Sequence, residues 1–503
     1  MNAARHEPKD LGPLFQPRSV AIVGCSPIES GKLGSWPLRN LLIQQSKVAI
    51  YPVNPKYREI EALRSYPSLD ALPEPPDVVL VMLPAEQSLA ALAEADRIGA
   101  RAAIVFGAGF GETEAGKALE RELAALAAKT RMPICGPNTD GIINVIDGIP
   151  CGFPPYAAIT PRPVGDVAVV SQSGALVSSL VMRLQRHKLG LTFSCAIGNA
   201  IDVGLADYVA HLADEPRTSS ILVYVEGVGD APAFVAAAQR AIAAGKLVAV
   251  MKGGRSDVGS AAVRSHTGSM VGAYEAFAAL CHAHGIVTAD SFEQLAALPL
   301  LAPVARHVDP SHARRVGVLS GSGAISSHLV DKATEHGFEV PELAPETTSR
   351  LRKRFTFTEP RNPIDLTGQV VHDPQLHVDV LDALGADPGI GIVLAGLLYG
   401  PVDITDRMKR ELVEAARTTP IVAYSAEGAD ARDEPILASG GVPIVASADL
   451  LLSSLDKLLV AGASRRAASG GERDEVRRRA ALTLLGAQTS GDAVPPETAW
   501  ALL

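Results

Sequence analysis

The sequence predicts an α/β protein made of three consecutive wound parallel-sheet domains. Short apolar runs of strand length alternate along the chain with Ala-rich stretches of helical length. The composition, with 47% hydrophobic and 4% aromatic residues, 45 Gly and 36 Pro, suits many short turns between strands and helices better than a β-sandwich or a helical bundle. At 503 residues the chain is too long for one ordinary core, and domains of about 150 residues favour three.

The first domain is expected at residues 1–155. The apolar run 20–23 ends at Gly24 and is followed by a loop containing Gly and Ser, then by a helical stretch at 36–42. Four further strands are predicted, at 47–51, 77–82, 102–106 and 132–135. Helical stretches separate these apolar runs, so the pattern predicts a parallel sheet with helices on both faces.

A second domain is expected at residues 160–305, after the break at Pro161-Arg162-Pro163. Its predicted strands lie near 167–170, 193–196, 221–225 and 247–251. A third is expected at 310–460, with strands at 316–319, 391–395 and 421–424. The tail, 461–503, is interpreted as a linker and the start of a missing ATP-grasp module, because its last helical stretch has no closing signal.

Charge and cysteine content exclude several classes of function. A net charge of −9 offers no diffuse basic face, so no nucleic-acid partner is expected. The five cysteines are scattered without a close pair, which argues against a zinc or redox site and favours a reducing compartment. No apolar run reaches the roughly 18 residues of a membrane span, and the first residues lack a signal-peptide stretch, so a cytoplasmic protein is expected.

The first loop does not match the usual dinucleotide fingerprint. Gly24 and Gly34 would let the backbone approach a phosphate at the start of a helix, but the spacing is not G-x-G-x-x-G. The second strand leads into Asn54-Pro55-Lys56, where an NAD enzyme usually has an acidic residue. A lysine after a Pro-stiffened turn suits a phosphorylated ribose, such as that of CoA. The alternative is that Asn54-Pro55 is only a turn.

Two more loops follow predicted strands of the same domain. Ligands of a wound sheet bind along the edge formed by the carboxyl ends of its strands, so three loops there predict one pocket. The predicted CoA-binding residues are Gly24, Ser26, Gly34, Asn54, Pro55, Lys56, Gly107, Gly109, Phe110, Gly136, Pro137 and Asn138.

His266 is the candidate nucleophile of the second domain. A lone histidine is usually a surface residue or a satisfied core residue. This one stands in Arg264-Ser265-His266-Thr267-Gly268, among small residues that build no core. Such a loop lets an imidazole meet a phosphoryl donor at one place and an acceptor at another. We therefore predict a nucleophilic role for His266.

Two other segments of the second domain supply what a phosphorylated histidine needs. Ser171, Ser173, Gly174 and Ala175 follow a strand and open a helix, so their hydroxyls and backbone N–H groups can hold phosphoryl oxygens. Glu226 follows the strand 221–225 and can accept the imidazole N–H. The alternatives are a helix cap and a solvated loop acid, respectively.

Over roughly residues 12–460 the chain resembles the acetate–CoA ligase (ADP-forming) family of NDP-forming acyl-CoA synthetases, and more distantly the α subunit of succinyl-CoA synthetase. The resemblance depends on ordered motifs: Pro17-Arg18-Ser19-Val20 before Gly24, Val53-Asn54-Pro55-Lys56, Gly136-Pro137-Asn138, Ser171-Gln172-Ser173-Gly174-Ala175, Gly198-Asn199, Tyr224-Val225-Glu226-Gly227, Ser265-His266-Thr267-Gly268 and Asn362-Pro363-Ile364-Asp365. It implies a Rossmann-like CoA-binding domain followed by two flavodoxin-like domains, the second of them a ligase-CoA domain.

The resemblance also implies an activity. A small carboxylic acid, CoA and ATP would give acyl-CoA, ADP and phosphate, reversibly, through an acyl phosphate. His266 would be transiently phosphorylated and supported by Glu226. Ser173 and Gly174 would stand at the start of the helix that holds its phosphate. No metal is expected on this chain, because Mg²⁺ would accompany ATP or ADP on an ATP-grasp subunit or C-terminal domain. An oligomer is expected.

Two positions depart from the family pattern. The third domain has Ser320-Gly321-Ser322-Gly323-Ala324 where a turn of the Asn-x-Gly-Gly type is frequent, so a purely structural role is the alternative for that domain. Arg264 stands where a small residue is common. The rival functions are a non-catalytic CoA or acyl-CoA scaffold or sensor, and an NAD-dependent oxidoreductase, against which the glycine spacing and the missing acid argue.

Overall fold

The computed structural model describes residues 9–111, 114–158, 163–261, 274–355, 359–397, 402–426 and 434–468. These residues form two compact units, which divide between Phe292 and Glu293. No helix among the described residues has the length and apolar character needed to cross a membrane.

The first sheet of the first unit is built from alternating strands and helices. Its segment contains α1 (Gly12–Phe15), β1 (Ser19–Val23), α2 (Trp36–Ile43), β2 (Ala49–Val53), β3 (Glu59–Ile60), β4 (Leu63–Arg64), β5 (Val78–Val81), α3 (Ala85–Ile98), β6 (Ala102–Val105), α4 (Glu114–Ala127) and β7 (Ile134–Cys135). Five parallel strands pair in the order β2-β1-β5-β6-β7, and β3 and β4 form a small hairpin. The predicted strands of this segment are therefore present as a parallel sheet.

Asp77 joins the strands at the amino ends of this sheet. Its Oδ2 accepts the Arg18 N–H at 2.8 Å, its Oδ1 accepts from Arg101 Nη1 at 3.1 Å, and its own N–H donates to Ser19 Oγ at 2.9 Å. Burial raises the pKa of Asp77, but these hydrogen bonds outweigh it and lower the pKa overall. The Pro17-Arg18-Ser19 motif thus stabilises the edge opposite to the loops that are predicted to bind a ligand.

The second sheet belongs to the same compact unit. Its elements are β8 (Gly141–Asn144), β9 (Ile149–Gly152), β10 (Val164–Ser171), α5 (Gly174–Arg186), β11 (Leu191–Ala196), α6 (Leu205–Asp214), β12 (Ser220–Val225), α7 (Ala231–Ala243), β13 (Leu247–Lys252), α8 (Tyr274–Ala283) and β14 (Val287–Thr288). The strand order is β14-β13-β12-β10-β11-β8-β9. The strands are parallel except for the hairpin β8-β9, which joins β11 in antiparallel pairing.

The chain enters the second sheet before the expected boundary at residue 155. Strands β8 and β9 fall within 1–155, yet Ile142 pairs with Cys195 of the second sheet. The side chains of Ile142 and Ile143 are buried, so this pairing is stabilised by apolar packing. One hydrophobic cluster runs through both sheets, and the Phe15 ring of α1 lies 5.1 Å from the Phe193 ring of β11.

The second unit contains a third parallel sheet. Its elements are α9 (Phe292–His307), β15 (Val316–Ser320), α10 (Gly323–Glu335), α11 (Pro345–Arg352), β16 (Ile364–Asp365), α12 (Gln369–His372), α13 (Pro374–Ala386), β17 (Ile392–Gly396), α14 (Val402–Ala415), β18 (Ile421–Tyr424), α15 (Glu434–Ser439), β19 (Ile444–Val445) and α16 (Ala448–Ala468). The strand order is β16-β15-β17-β18-β19. All but the first residue of α9 belongs to this unit, where Gln294 Nε2 donates to Ser453 Oγ of α16 at 3.2 Å.

All three sheets share one winding scheme. In each, the first parallel strand lies between the second strand on one side and the third, fourth and fifth on the other. The winding direction reverses between the first and third strands, and ligands of doubly wound sheets bind at that crevice. In the second sheet the crevice lies between β10 and β12, which end at Ser171 and Val225. The two predicted phosphate-handling segments, Ser171–Ala175 and Glu226, therefore begin at neighbouring strand ends.

Candidate functional site

Two glycines bring the first loop into contact with its neighbours at the end of β1. Gly24 has φ +82°, and a β-carbon there would lie 2.8 Å from the Met82 carbonyl oxygen. A β-carbon on Gly34 would lie 2.3 Å from the Gly24 carbonyl oxygen. Ser26, between them, is buried. Both positions therefore require glycine, and the loop is packed onto the crevice between β1 and β5.

Asn54 connects the second loop to the first. Its Nδ2 donates to the Cys25 carbonyl at 2.7 Å, and its Oδ1 accepts the Lys56 N–H at 3.0 Å. The Asn54 side chain therefore builds the turn, while the side chains of Pro55 and Lys56 are exposed on its surface. Burial raises the pKa of the Cys25 thiol to about 12, so the cysteine beside this turn stays protonated at neutral pH.

The third and fourth loops meet through their main chains. A β-carbon on Gly107 would lie 2.5 Å from the Leu83 carbonyl oxygen, and the Asn138 N–H donates to the Gly107 carbonyl at 3.1 Å. The Gly136–Pro137 peptide is cis, and Asn138 has φ +56°. Gly109 also has a positive φ, of +101°.

Phe110 differs from the other predicted CoA-binding residues. Its side chain is 1% exposed and packs in the core that includes Leu123 and Met132. Only its main chain takes part in the loop contacts, because the Asn199 Nδ2 donates to the Phe110 carbonyl at 3.1 Å. The ring therefore anchors the loop from the core side, and the main chain of Phe110 is the part that stands at the predicted CoA loops.

Gly198 and Asn199 join the ligand edges of the two sheets. The Asn199 N–H donates to the Pro137 carbonyl at 2.9 Å, and the Asn138 Nδ2 donates to Asn199 Oδ1 at 3.5 Å. Gly198 has φ +61°, and a β-carbon there would lie 2.2 Å from the Pro137 carbonyl oxygen. The loops after β7 and β11 are thus in backbone contact, so the predicted CoA loops lie beside the second sheet.

The turn after β10 leaves the start of α5 without a cap. Ser171 Oγ accepts the Ser173 N–H at 3.0 Å and donates to the Ser173 carbonyl at 2.8 Å. Ser173 is the N-cap residue, but its side chain makes no cap hydrogen bond. The N–H groups of Gly174 and Ala175 have no acceptor among the described residues. Such N–H groups, with the helix dipole, favour an anion.

The predicted phosphate-binding residues therefore have different roles in the turn. Ser171 is 1% exposed and its hydroxyl is used within the turn, so it shapes the turn. Ser173, Gly174 and Ala175 present the free groups at the helix start.

Gln172 holds Glu226 beside this turn, a role that sequence reasoning missed. Its Oε1 accepts the Gly227 N–H at 3.0 Å and also the Glu226 N–H, and its Nε2 donates to the Gly227 carbonyl at 2.9 Å. Glu226 itself is partly exposed. The Gln172 side-chain amide therefore uses both its donor and its acceptor to fix the segment after β12 to the turn after β10.

Lys252, at the end of β13, is a second residue that the sequence analysis did not single out. Its side chain is buried, and Nζ donates to the Gly253 carbonyl at 3.0 Å and to the Glu226 carbonyl at 3.4 Å. Burial lowers the pKa of Lys252, and the Glu226 carboxylate opposes that shift. A signal was present, because a lysine directly ends the apolar run 247–251.

Tyr224 completes the polar group around Glu226. Burial, and secondarily the charge of Glu226, raises the pKa of Tyr224 to about 12. A β-carbon on Gly253 would lie 2.5 Å from Tyr224 Oη and 3.7 Å from Glu226 Cγ. Gly253 therefore leaves room for both side chains where the chain leaves β13.

His266 lies in 262–273, outside the described residues. Its proximity to Glu226 and to the turn therefore remains a prediction from the sequence. Among the described residues, no three His, Cys, Asp or Glu side chains are grouped so as to hold a metal ion.

Two protein-family models match the first unit. Residues 18–144 match a CoA binding domain, and residues 164–301 match a succinyl-CoA ligase like flavodoxin domain. These ranges contain the loops of the first sheet and the turn after β10, respectively.

Curated relatives match across a larger part of the chain. A trans-feruloyl-CoA synthase from an unknown prokaryotic organism is 33% identical over 402 residues, 79% of this chain and 56% of that protein. An ADP-forming acetate–CoA ligase I of Archaeoglobus fulgidus is 33% identical over 86% of this chain and 60% of its own length. The chain thus spans little more than half the length of these two relatives. It covers 97% of the α subunit of acetate–CoA ligase I of Pyrococcus furiosus, at 29% identity.

Solved structures agree with the sequence matches. An acetyl-coenzyme A synthetase of Ca. Korarchaeum cryptofilum, in complex with phosphate and ADP, superposes with a TM-score of 0.80 at 26% identity, over 92% of this chain and 100% of that one. The chain therefore contains a CoA binding domain and a succinyl-CoA ligase like flavodoxin domain, and ADP-forming acetate–CoA ligases are among its homologues.

Proposed function

We propose that the chain performs the CoA-handling and phosphoryl-handling steps of an NDP-forming acyl-CoA synthetase. The observation that carries this proposal is the contact between the ligand edges of the first two sheets through Gly198 and Asn199. It puts the predicted CoA loops and the uncapped start of α5 in one compact unit. Glu226 is attached to the same turn by Gln172.

The proposed reaction has three steps. ATP phosphorylates the His266 imidazole and ADP leaves. The phosphoryl group passes to a small carboxylic acid, giving an acyl phosphate and restoring the imidazole. The CoA thiolate then attacks the acyl carbon, the C–O bond to phosphate breaks, and acyl-CoA and phosphate are formed. Each step is reversible, since the phosphohistidine and the acyl phosphate are both high-energy species.

The side chains have distinct proposed tasks in these steps. The N–H groups of Gly174 and Ala175, with Ser173, hold phosphoryl oxygens, because a helix start stabilises negative charge. The Glu226 carboxylate accepts one imidazole N–H and thereby favours attack by the other nitrogen. Lys56, on the exposed side of its turn, pairs with a phosphate of CoA.

We further propose that ATP or ADP and its Mg²⁺ are bound by an ATP-grasp partner subunit or domain. The match to α subunits of ligases from Pyrococcus furiosus supports a partner, and the phosphate and ADP in the solved relative support the nucleotide. A cytoplasmic location and an oligomeric assembly accompany this proposal.

A CoA-binding scaffold without catalysis is the main alternative. It would need the loops of the first sheet, but neither the uncapped start of α5 nor the anchoring of Glu226 by Gln172 and Lys252. Titration with CoA and NAD also separates the proposal from an oxidoreductase, because only CoA is expected to bind.

The decisive experiment follows a label from ATP to the protein. The chain is incubated with an ATP-grasp subunit of the family, Mg²⁺ and ATP labelled in its γ-phosphate, and acid-labile label on the protein is counted. We expect label on the wild type, none on His266→Ala, and at least about tenfold less on Glu226→Gln, since general-base and orienting groups contribute factors of this order or larger. His307→Ala, which removes an exposed histidine, serves as the control and keeps full label. Full labelling of His266→Ala would remove the phosphohistidine from the proposal.

A further inference from the structure

Asp140 is an acidic residue at the predicted phosphate site that the reaction above does not use. Its carboxyl group lies directly against the first residue of α5. A β-carbon on Gly174 would be 2.5 Å from Asp140 Cγ and Oδ2 and 2.7 Å from Oδ1. The same helix start presents the free N–H groups of Gly174 and Ala175.

The main chain around Asp140 is held on both sides. Thr139 Oγ1 accepts the Gly141 N–H at 3.0 Å and donates to the Ala196 carbonyl. The Asp140 carbonyl accepts the Phe153 N–H at 3.3 Å. The hairpin β8-β9 and strand β11 therefore determine where this residue stands, and its side chain is directed at the helix by the surrounding sheet.

Within the part of the chain that the structure describes, the carboxyl group has no partner of its own. It makes no hydrogen bond or ion pair with any described residue, and it does not cap α5. An acid at a helix start ordinarily accepts a backbone N–H and stabilises the helix. Asp140 is partly exposed, and burial raises its pKa. Tyr224, Glu226 and Lys252 are titratable groups described at the neighbouring strand ends, and His266 lies outside the described residues.

We propose that the carboxylate of Asp140 faces the phosphoryl group held at the start of α5 and weakens its binding, so that the turn holds this group only transiently. The inference rests on the proposed function and adds a residue that determines affinity at the same site. A phosphoryl group carries about 1.5 to 2 negative charges at neutral pH. Repulsion from a carboxylate a few ångströms away is substantial in a partly buried site.

Such weakening suits a carrier of phosphoryl groups. The turn must bind the group well enough to orient it and release it well enough to pass it on. Free N–H groups supply the attraction, and Asp140 supplies an opposing charge that is lost on protonation. Because burial raises the pKa of Asp140, its carboxylate is protonated at a higher pH than that of an exposed aspartate, and anion affinity should rise as the pH falls.

The test measures anion binding to the chain alone, without a nucleotide-binding partner. Sulfate is the first probe, because its charge is constant between about pH 5 and pH 8, and inorganic phosphate is the second. At pH 8 we expect Asp140→Asn and Asp140→Ala to bind sulfate about tenfold more tightly than the wild type, the order expected from removing one partly screened charge. As the pH is lowered from 8, the difference in sulfate affinity between the wild type and the variants should decrease.

Asp166→Asn is the matched control. Asp166 is an exposed acid near the amino end of β10, the strand whose carboxyl end carries Ser171, so the variant changes net charge equally at the opposite edge. It should bind both anions as the wild type does. Comparison between variants also cancels the titration of Glu226, Lys252 and His266.

The outcomes separate this inference from the proposed function. If the wild type binds the anions and the Asp140 variants bind them equally or less tightly, the role of Asp140 is refuted and the phosphate site stands. If neither anion binds to the wild type or the variants while CoA still binds, the anion site itself fails and both proposals fall. CoA affinity and thermal unfolding report that each variant is folded.

Discussion

The turns after β10 and β15 begin alike and end differently. Each follows the first parallel strand of its sheet with the pattern Ser-x-Ser-Gly, and in each the first serine hydroxyl accepts the N–H of the second, at 3.0 Å for Ser171 and 3.2 Å for Ser320. Ser322 Oγ then accepts the Ile325 N–H at 3.5 Å, whereas Ser173 makes no cap bond. One N–H at the start of α10 thus has a side-chain acceptor, whereas the start of α5 has no side-chain cap.

The neighbouring strand ends of the two sheets differ in the same sense. In the second sheet, β12 is followed by Glu226 and β13 ends in Lys252, whereas in the third sheet β17 is followed by the buried Leu397 and β18 by the buried Ser425. One winding scheme thus carries Glu226 and Lys252 at these strand ends of the second sheet, and Leu397 and Ser425 at the corresponding ends of the third. This comparison supports assigning the phosphoryl chemistry to the second sheet. The order of the strands therefore provides the crevice, and the residues at the strand ends determine what the crevice can bind.

The strongest test of the comparison adds a methyl group to each helix start. Gly174→Ala places a β-carbon 2.5 Å from the Asp140 carboxyl group, whereas Gly323→Ala places one 3.2 Å from Asp365 Oδ2. We expect Gly174→Ala to lower protein labelling by about 100-fold, because donors displaced by even an ångström lose much of their effect. Labelling after incubation with labelled ATP and the partner subunit provides the measurement, and Gly323→Ala should lose less than about threefold by the same reasoning.

The double variant Gly174→Ala with Asp140→Gly tests the cause. Removal of the opposing carboxyl group leaves space for the new methyl group, so labelling should recover in part. Equal losses in the two single variants would show that the two turns do not differ as described.

A medium effect is expected at Lys252, which has no lysine counterpart at the described strand ends of the third sheet. Lys252→Met removes the donor that holds the Glu226 and Gly253 carbonyls, so labelling should fall by about tenfold, as for a lost positioning contact worth about 1.4 kcal/mol. Lys246→Met is the matched control. Lys246 is also buried, directly before the first residue of the same strand, and donates to the Leu212 carbonyl at 2.8 Å. That variant should retain its labelling.

The two lysines should share one pH dependence of stability. Burial lowers the pKa of each below 10.5, so the unfolded chain binds these protons more tightly. The wild type therefore gains free energy of unfolding, relative to either methionine variant, as the pH rises through the lowered pKa towards 10.5. Urea unfolding at neutral and alkaline pH measures this. A gain that decreases with pH would contradict the assignment of buried, protonated lysines.

The smallest effect is expected from substituting the two N-cap serines, Ser322 and Ser173. Ser322→Ala removes a cap bond and should lower the free energy of unfolding of the second unit by about 1 kcal/mol. Ser173→Ala has no cap bond to lose and should change that of the first unit by less than about 0.5 kcal/mol. Hydrogen exchange at the starts of α5 and α10 measures each helix separately. Similar destabilisation by both substitutions would show that Ser173 caps its helix in solution.

Much of the framework could be predicted from apolar runs and turn residues. The run 221–225 became β12, 247–251 became β13, and Glu226 and Ser173 stand at strand ends as the pattern implied. The sequence analysis missed the hairpin β8-β9, because its short strands follow a turn without an intervening helix. The pairing of β8 with β11 also joins segments that are far apart in the chain, and a local sequence pattern does not indicate such a pairing. The orientation of the Phe110 ring was also not predictable, since an aromatic residue in a glycine loop can face the core as readily as a ligand.

By itself, the sequence determined that parallel strands end in small-residue loops, and hence that these loops share an edge. The periodicity of apolar residues is local and specifies strands and helices directly. The tertiary structure alone decided which loops touch: Pro137 with Gly198, Gln172 with Glu226, and Asp140 with Gly174. These contacts join residues far apart in the chain, and they depend on the packing of whole sheets, which local sequence patterns do not encode.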